Sequence, residues 1–144
     1  METAAVGKVL VTAKIENEQD LTRVKLGLLP ADQVRSVEVV DALVDTGATM
    51  LSLPRRVIGQ LGLDRVRTRK FRTTSGPAEF GIYDVVRVTI GGRECKVEAS
   101  EVPDDCPVLI GQIPREALDF VVDPVGQKLI GNPEHGGEHM ADLF

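Results

Sequence analysis

Two runs of alternating apolar residues, separated by Gly91-Gly92, limit the fold of this 144-residue chain more than any other feature. The apolar positions are Ile82, Val86, Val88 and Ile90 before the glycines, and Cys95, Val97 and Ala99 after them. Such alternation is typical of a half-buried β-strand. Two glycines between two such runs predict a tight hairpin. The chain is therefore expected to build a sheet with one buried face.

Similar patterns predict further short strands on both sides of this hairpin. The segment from Lys8 to Ile15 alternates, and Asn17 to Asp20 is expected to turn the chain. A second β segment is predicted around Leu21 to Leu29, ending at Pro30, and a third from Arg35 to Val44. The last predicted strands lie at Val108 to Ile110, Phe120 to Val122, and Lys128 to Ile130.

Helical signals are few and short. Pro54 can open a helix from Arg55 to Leu61, and Gly62 is well placed to end it. A second short helix is predicted from Pro114 to Leu118. Many short strands with little helix predict an all-β, closed barrel-like domain with one or two short helices. A single domain over residues 1–144 is expected, with a core at about 8–133 and a flexible tail at 134–144.

The charge of the chain argues against nucleic acid as a partner. The formal net charge is −5, whereas phosphate binding needs a basic surface. A local cluster of cations lies on one predicted strand, and it can be a solvated strand face or a patch that steers substrate or binds a polyanion. Its members are Arg65, Arg67, Arg69, Lys70 and Arg72.

The N-terminal sequence has no apolar run of the kind found in a signal peptide, and no stretch approaches the length of a membrane span. No membrane association and a cytoplasmic location are therefore expected. The two cysteines, Cys95 and Cys106, lack CxxC spacing. They fit reduced, buried thiols better than a disulfide framework.

The segment most informative about chemistry is Ala42-Leu43-Val44-Asp45-Thr46-Gly47-Ala48. An apolar strand delivers Asp45 into a turn of small residues. Gly47 allows a close approach of the backbone or a positive φ, and Thr46 can donate a hydroxyl hydrogen bond. Asp45 could be an ordinary turn residue, since Asp, Thr and Gly are common where strands stop. It could equally be a carboxylate held rigidly for catalysis.

The apolar approach, the small Ala48 and the distant Leu109-Ile110-Gly111 together resemble the retropepsin-like aspartic proteases. The resemblance covers roughly Val9 to Pro133. It implies that Asp45 is the catalytic acid in a loop with Thr46, Gly47 and Ala48. It also implies that a flap contains Thr73, Thr74, Ser75, Gly76 and Pro77, and that Leu109, Ile110 and Gly111 brace the active-site loop.

Some segments differ from the retroviral members of that family. Gln112-Ile113-Pro114 stands where an arginine or asparagine commonly follows the glycine, and both ends of the chain are longer. The segments Ile110 to Pro114 and Val121 to Pro124 look more like bacterial soluble single-domain members. By the same resemblance, Met1 to Gly7 and Glu134 to Phe144 are expected to join a dimer-interface sheet.

Peptide hydrolysis in this class uses two carboxylates that share one proton. The chain has no second Asp-Thr/Ser-Gly, and Asp123 is followed by Pro124. A homodimer is therefore expected, in which each subunit contributes Asp45 across a two-fold axis. The resemblance implies that Thr46 hydrogen-bonds across that axis. The expected activity is an aspartic endopeptidase acting on peptides or proteins, with no cofactor and no metal.

Other functions have less support in the sequence. His135-Gly136-Gly137-Glu138-His139 matches the H-x-x-E-H pattern of some zinc peptidases, but two glycines disfavour the helix that a zinc site needs. Catalysis by Ser75 or Cys106 has little support, because both histidines lie in that tail. The main alternative is a dimeric module on the same fold that binds peptide or protein without cutting it. A purely structural domain would leave Asp45 as a turn residue.

Overall fold

A computed structural model describes residues 8–123 and 125–142 of the protein. The strands are β1 (Val9–Asn17), β2 (Ser36–Val44), β3 (Leu51–Pro54), β4 (Arg65–Thr73), β5 (Gly76–Ile90), β6 (Arg93–Val102), β7 (Leu109–Ile110), β8 (Phe120–Asp123) and β9 (Lys128–Gly131). The α-helices are α1 (Glu18–Lys25), α2 (Arg55–Leu61) and α3 (Gln112–Ala117), and short 3₁₀ turns occur at Ala31–Gln33 and Pro133–His135.

The strands form a closed sheet with a small hairpin beside it. The seven-stranded sheet has the order β1-β2-β7-β3-β6-β5-β4, and β1 also pairs with β5, which closes the ring. The strands β8 and β9 form a separate antiparallel hairpin. The prediction of an all-β, barrel-like fold with short helices is confirmed. No helix among residues 8–123 and 125–142 combines the length and the apolar character that a membrane span needs.

The hairpin predicted around Gly91-Gly92 is present as the β5–β6 pair. Ile90 pairs with Arg93 across the turn, and the two glycines have φ of 57° and 79°, a region that favours glycine. The alternating apolar side chains of both strands point into the barrel. The buried set shared by the hairpin and the strands around it includes Val9, Ile15, Val44, Leu51, Leu53, Val86, Val88, Ala99 and Ile110.

The β segment predicted around Leu21 to Leu29 is wrong, because the chain forms helix α1 there. The Asn17 side chain caps this helix by accepting a hydrogen bond from the Asp20 N–H at 3.1 Å. Acidic residues occupy its first turn and basic residues its last turn, which favours the helix dipole. Asn17 therefore starts a helix rather than the simple turn expected at Asn17 to Asp20.

Helix α2 begins and ends where the sequence predicts. Pro54 precedes it and Gly62 closes it in the left-handed conformation, with φ of 62°. Helix α3 begins at Gln112, two residues before the predicted start at Pro114. The difference places the first turn of α3 directly after Gly111.

A buried carboxylate links helix α1 to the strand that carries Asp45. Asp20 is 2% exposed, and its Oδ2 accepts from the Arg35 backbone N–H at 3.0 Å and from Arg35 Nε at 2.8 Å. Its Oδ1 accepts from Arg35 Nη2 and from Arg23 Nη1, both at 3.0 Å. The hydrogen-bonded Arg35 guanidinium lowers the pKa of Asp20 to about 2. Arg35 starts the approach to β2, so this ion pair fixes where β2 begins.

The segment predicted as a flexible tail makes specific contacts as far as Asp142. His135 Nδ1 lies 2.7 Å from Asp119 Oδ2, and the Met140 N–H donates to the same oxygen at 3.1 Å. Arg93 donates to the carbonyls of Leu118 and Asp119 and to that of Gly137. The interface role expected for 1–7 and 134–144 stays a prediction. Of these residues, 1–7 and 143–144 lie outside the described residues, as does Pro124.

Candidate active site

Asp45 lies at the end of β2, where the buried strand meets the surface. Ala42 and Val44 are 0% and 5% exposed, whereas Asp45 is half-buried and Thr46 and Gly47 are exposed. The apolar strand residues hold the backbone in the core, and the carboxylate emerges from it. Asp45 therefore has both a fixed backbone and access to solvent.

The loop after Asp45 is held by its own hydrogen bonds. The Gly47 N–H donates to Asp45 Oδ1 at 2.9 Å, and the Ala48 N–H donates to the Asp45 carbonyl at 3.2 Å. The first bond orients the carboxylate, and the second closes the turn. A Cβ at Gly47 would stand 3.4 Å from Asp45 Oδ1, an ordinary contact, and φ of Gly47 is not positive. Within the described chain, the space around Gly47 would accept a side chain.

The strand β7 braces this loop from behind, inserted between β2 and β3. It pairs in parallel with β2, with Val44 opposite Ile110, and antiparallel with β3, with Leu51 opposite Ile110. The Asp45 N–H donates to the Ile110 carbonyl at 3.1 Å. The backbone on which the carboxylate is mounted is therefore tied to the centre of the sheet.

The far side of the loop is tied to helix α3. The N–H groups of Gln112 and Ile113 donate to the carbonyls of Ala48 and Thr49 at 2.9 and 2.8 Å. Gly111 packs directly on this backbone, because a Cβ there would meet the Met50 carbonyl oxygen at 2.3 Å and the Ala48 carbonyl oxygen at 2.8 Å. Glycine at 111 thus permits the close approach that these hydrogen bonds need.

The residues assigned to a flap form the turn of the β4–β5 hairpin. Thr73 pairs with Gly76, the Thr73 hydroxyl donates to the Gly76 carbonyl at 2.5 Å, and the Ser75 N–H donates to Thr73 Oγ1 at 3.2 Å. Gly76 has φ of 106°. Thr74 and Pro77 are exposed. No hydrogen bond among the described residues joins this hairpin turn to the Asp45 loop.

A groove that sequence reasoning missed lies beside the active-site loop. It is lined by Met50, Leu51, Arg67, Arg69, Lys96, Val97, Glu98 and Ile113. One side of the groove adjoins the active-site loop: Met50 follows the loop directly, and the Ile113 N–H donates to the Thr49 carbonyl. The other side is formed by Arg67 and Arg69 of β4, the strand that leads to the hairpin turn. The alternating cations of β4 were the sequence signal that could have indicated this groove. The residues that complete its lining come from distant segments, so the sequence did not predict it.

The residues of the rejected zinc and cysteine interpretations have other partners. His135 is bound between Asp119 and Asp142, and His139 Nε2 lies 3.1 Å from the Ala117 carbonyl oxygen. No group of three or more His, Cys, Asp or Glu in the described part of the chain could hold a metal ion. Cys95 and Cys106 are free thiols. Burial raises the pKa of Cys95 to about 11, which leaves it a poor nucleophile at neutral pH.

A closed β-barrel with an Asp-Thr-Gly-Ala loop braced by an apolar pair and a glycine defines a retropepsin-like protein. Comparison with family models gives a match to the family described as "gag-polyprotein putative aspartyl protease" over residues 32–113. The match spans more than half of the chain, so the protein belongs to this retropepsin-like aspartyl protease family. No curated protein matches the chain in sequence.

Proposed function

We propose that the protein is a homodimeric aspartic endopeptidase in which Asp45 of each subunit forms half of a catalytic dyad. The observation that carries the proposal is the way in which the fold holds Asp45. Its carboxylate is oriented by the Gly47 N–H, its backbone is tied to Ile110, and it is still open to solvent. An Asp in an ordinary turn also accepts a hydrogen bond from the N–H two residues on, so the distinguishing features are the tether to Ile110 and the open carboxylate at the end of a buried strand. Membership of an aspartyl protease family supports the same assignment.

The chemistry explains why a second subunit is proposed. One carboxylate acts as a general base and takes a proton from water, while the oxygen of that water bonds to the scissile carbonyl carbon. A second carboxyl, still protonated, donates a hydrogen bond to the carbonyl oxygen and stabilises the negative charge that develops there. The first carboxyl then gives the proton that it took from water to the leaving amine nitrogen as the C–N bond breaks, which restores the carboxylate. A single Asp45 cannot fill both roles.

The exposed loop fits a two-fold arrangement. Thr46 and Gly47 are both exposed, and the space at Gly47 is open within the described chain. A second copy of the same loop could therefore approach closely, with Thr46 donating its hydroxyl hydrogen bond across the axis. Two carboxyls held so close are proposed to share one proton, as in aspartic proteases generally.

The remaining assignments belong to the same proposal. The β4–β5 hairpin, with Thr73 to Pro77 at its turn, is proposed to close over an extended peptide as a flap and to exclude water. Leu109, Ile110 and Gly111 are positioning residues that keep the Asp45 loop in place. A β-strand mode of peptide binding suits the exposed edge of β4, since one side of that strand has no partner strand in the described sheet.

The first experiment compares cleavage of a mixed peptide library by wild type, Asp45→Asn and Asp41→Asn. Asp41 lies on the same strand and is exposed, so its substitution makes the same chemical change away from the loop. Asp45→Asn is expected to abolish cleavage with the oligomeric state unchanged, and Asp41→Asn to retain it. Equal activity in all three proteins would refute the role of Asp45.

Mixing wild-type and Asp45→Asn subunits tests the shared dyad. If both carboxylates are needed, an equal mixture at full exchange keeps about a quarter of the activity, because about a quarter of the dimers have two wild-type subunits. Retention of half would indicate that each subunit works alone. A folded wild-type dimer that binds peptides but never cleaves them would favour the non-catalytic binding module.

A further inference from the structure

The groove beside the active-site loop carries an excess of positive charge. Three cations line it, Arg67, Arg69 and Lys96, against one carboxylate, Glu98. Arg67 is paired with Glu98 through two hydrogen bonds of 2.9 and 2.6 Å. That pair is neutral as a unit, so the charge that the groove can offer to a ligand comes from Arg69, and from Lys96 when Lys96 turns away from its partner Glu18.

Arg69 is the least satisfied of these cations. No carboxylate in the described part of the chain lies within ion-pair distance of it, and its guanidinium rests 5.7 Å from the centre of the Phe71 ring. Lys96 has a distant partner, with Nζ 3.4 Å from Glu18 Oε2, and its side chain is 61% exposed. Lys96 can turn toward a ligand without leaving Glu18 unpaired, because Arg87 also donates to Glu18 at 3.0 and 3.2 Å.

The position of the groove connects it to substrate binding. Met50 comes two residues after Ala48, and the Ile113 N–H is bonded to the Thr49 carbonyl. On the opposite side, Arg69 lies opposite Phe80 in the β4–β5 hairpin. A peptide held between the loop and the hairpin would therefore pass this groove within a few residues of the bond being cut.

We propose that this groove is a specificity site that binds the carboxylate of an Asp or Glu side chain in the peptide substrate. Arg69 and Lys96 supply the charge, and the exposed Ile113 side chain supplies an apolar wall for the methylene groups of the acidic residue. The inference rests on the proposed proteolytic function and adds a substrate class to it. The site selects against basic residues at the same position, because they would face two cations.

The proposal is tested with a library of fluorogenic decapeptides. Its members form pairs that carry either Glu or Gln at one position, and that position is moved along the peptide. Wild type is expected to cleave the Glu peptide about two- to fivefold better, in kcat/KM, at one position away from the scissile bond, which is the range of an exposed ion pair. The preference should weaken as salt is added. Arg69→Gln should reduce the ratio toward one, and Arg69→Glu should favour Lys at that position.

Lys70→Gln is the matched control, since it removes the same charge from the next residue of β4, on the opposite face from Arg69. It should leave the ratio unchanged. Equal preference for Glu and Gln at every position, or an equal loss of preference in Lys70→Gln, would overturn the proposal.

Binding of the same labelled peptides to Asp45→Asn, by fluorescence anisotropy, separates this inference from the proposed function. Cleavage without any Glu preference would refute the groove and leave catalysis standing. Binding that prefers Glu and depends on Arg69, with no cleavage by wild type, would support the groove and refute catalysis. Absence of both would refute both.

Discussion

Substituting Gly111 by Ala should damage the active-site loop more than its small size suggests. Gly111 has φ of −85°, a conformation open to any residue, so backbone strain plays no part. The added Cβ would lie 2.3 Å from the Met50 carbonyl oxygen and 2.8 Å from both the Met50 nitrogen and the Ala48 carbonyl oxygen. All three neighbours are backbone atoms, which cannot rotate away.

The size of the effect follows from that geometry. An ordinary contact of this kind is about 3.4 Å, so relief requires a shift of about 1 Å, and overpacking of this severity costs about 1–3 kcal/mol. The displaced backbone is that of the Asp45 loop. A misplacement of about 1 Å in catalytic geometry lowers the rate by as much as about a hundredfold. Gly111→Ala should therefore lose both stability and most of its activity.

The assay is urea unfolding together with library cleavage, and Gly59→Ala is the control. Gly59 lies inside helix α2, and a Cβ added there would have no atom within 4 Å, so Ala at this position should raise the free energy of unfolding by about 0.5–1 kcal/mol. A Gly111→Ala protein as stable and as active as wild type would refute the claim that contact with Ala48 and Met50 positions the loop.

Two predictions concern pH. The ion pair with Arg35 lowers the pKa of Asp20 in the fold, so the stability that it contributes is present above about pH 4 and is lost as pH falls toward 2. Asp20→Asn should therefore lower the free energy of unfolding, measured in urea, by about 1–2 kcal/mol at neutral pH and by little in acid. The neutral-pH figure is discounted because Arg35 is half-exposed. The hydrogen bond to Asp119 raises the pKa of His135, so its contribution is full below about pH 6.5 and is lost as pH rises through the higher folded value. The thermal midpoints of wild type and His139→Gln should lose this contribution as pH rises, whereas that of His135→Gln should not. The same dependence of the midpoint on pH in all three proteins would contradict the prediction.

Local patterns in the sequence predict the parts of the fold that local physics determines. The β5–β6 hairpin follows from alternation and two glycines, and the end of α2 follows from Gly62, because each signal acts within a few residues. The run of β2 into Asp45 is predicted for the same reason. Helix α1 was missed because its apolar content suggested a strand, whereas the cap at Asn17 and the charge order of its turns favoured a helix.

The surroundings of the site depend on distant segments, which no local pattern specifies. The strand β7 has two residues, and nothing in Leu109-Ile110 alone indicates that it lies between β2 and β3. The groove joins β3, β4, β6 and α3, so its charge balance is visible only once Arg67 and Glu98 are neighbours. His135 contacts Asp119 across 16 residues, and Asp119 has φ of 58°, which is uncommon outside glycine; no local pattern predicts either feature.

The insertion of β7 also sets an order of events during folding. Asp45 bonds to Ile110, so the loop gains its brace only after a long stretch of intervening chain has been closed, and such distant pairings form slowly. During synthesis, the N-terminal strands can collapse while residue 110 is still absent, and the carboxylate then has no fixed backbone. The candidate site is therefore completed in the same step as the barrel, because β7 both joins β2 to β3 and ties the backbone of Asp45.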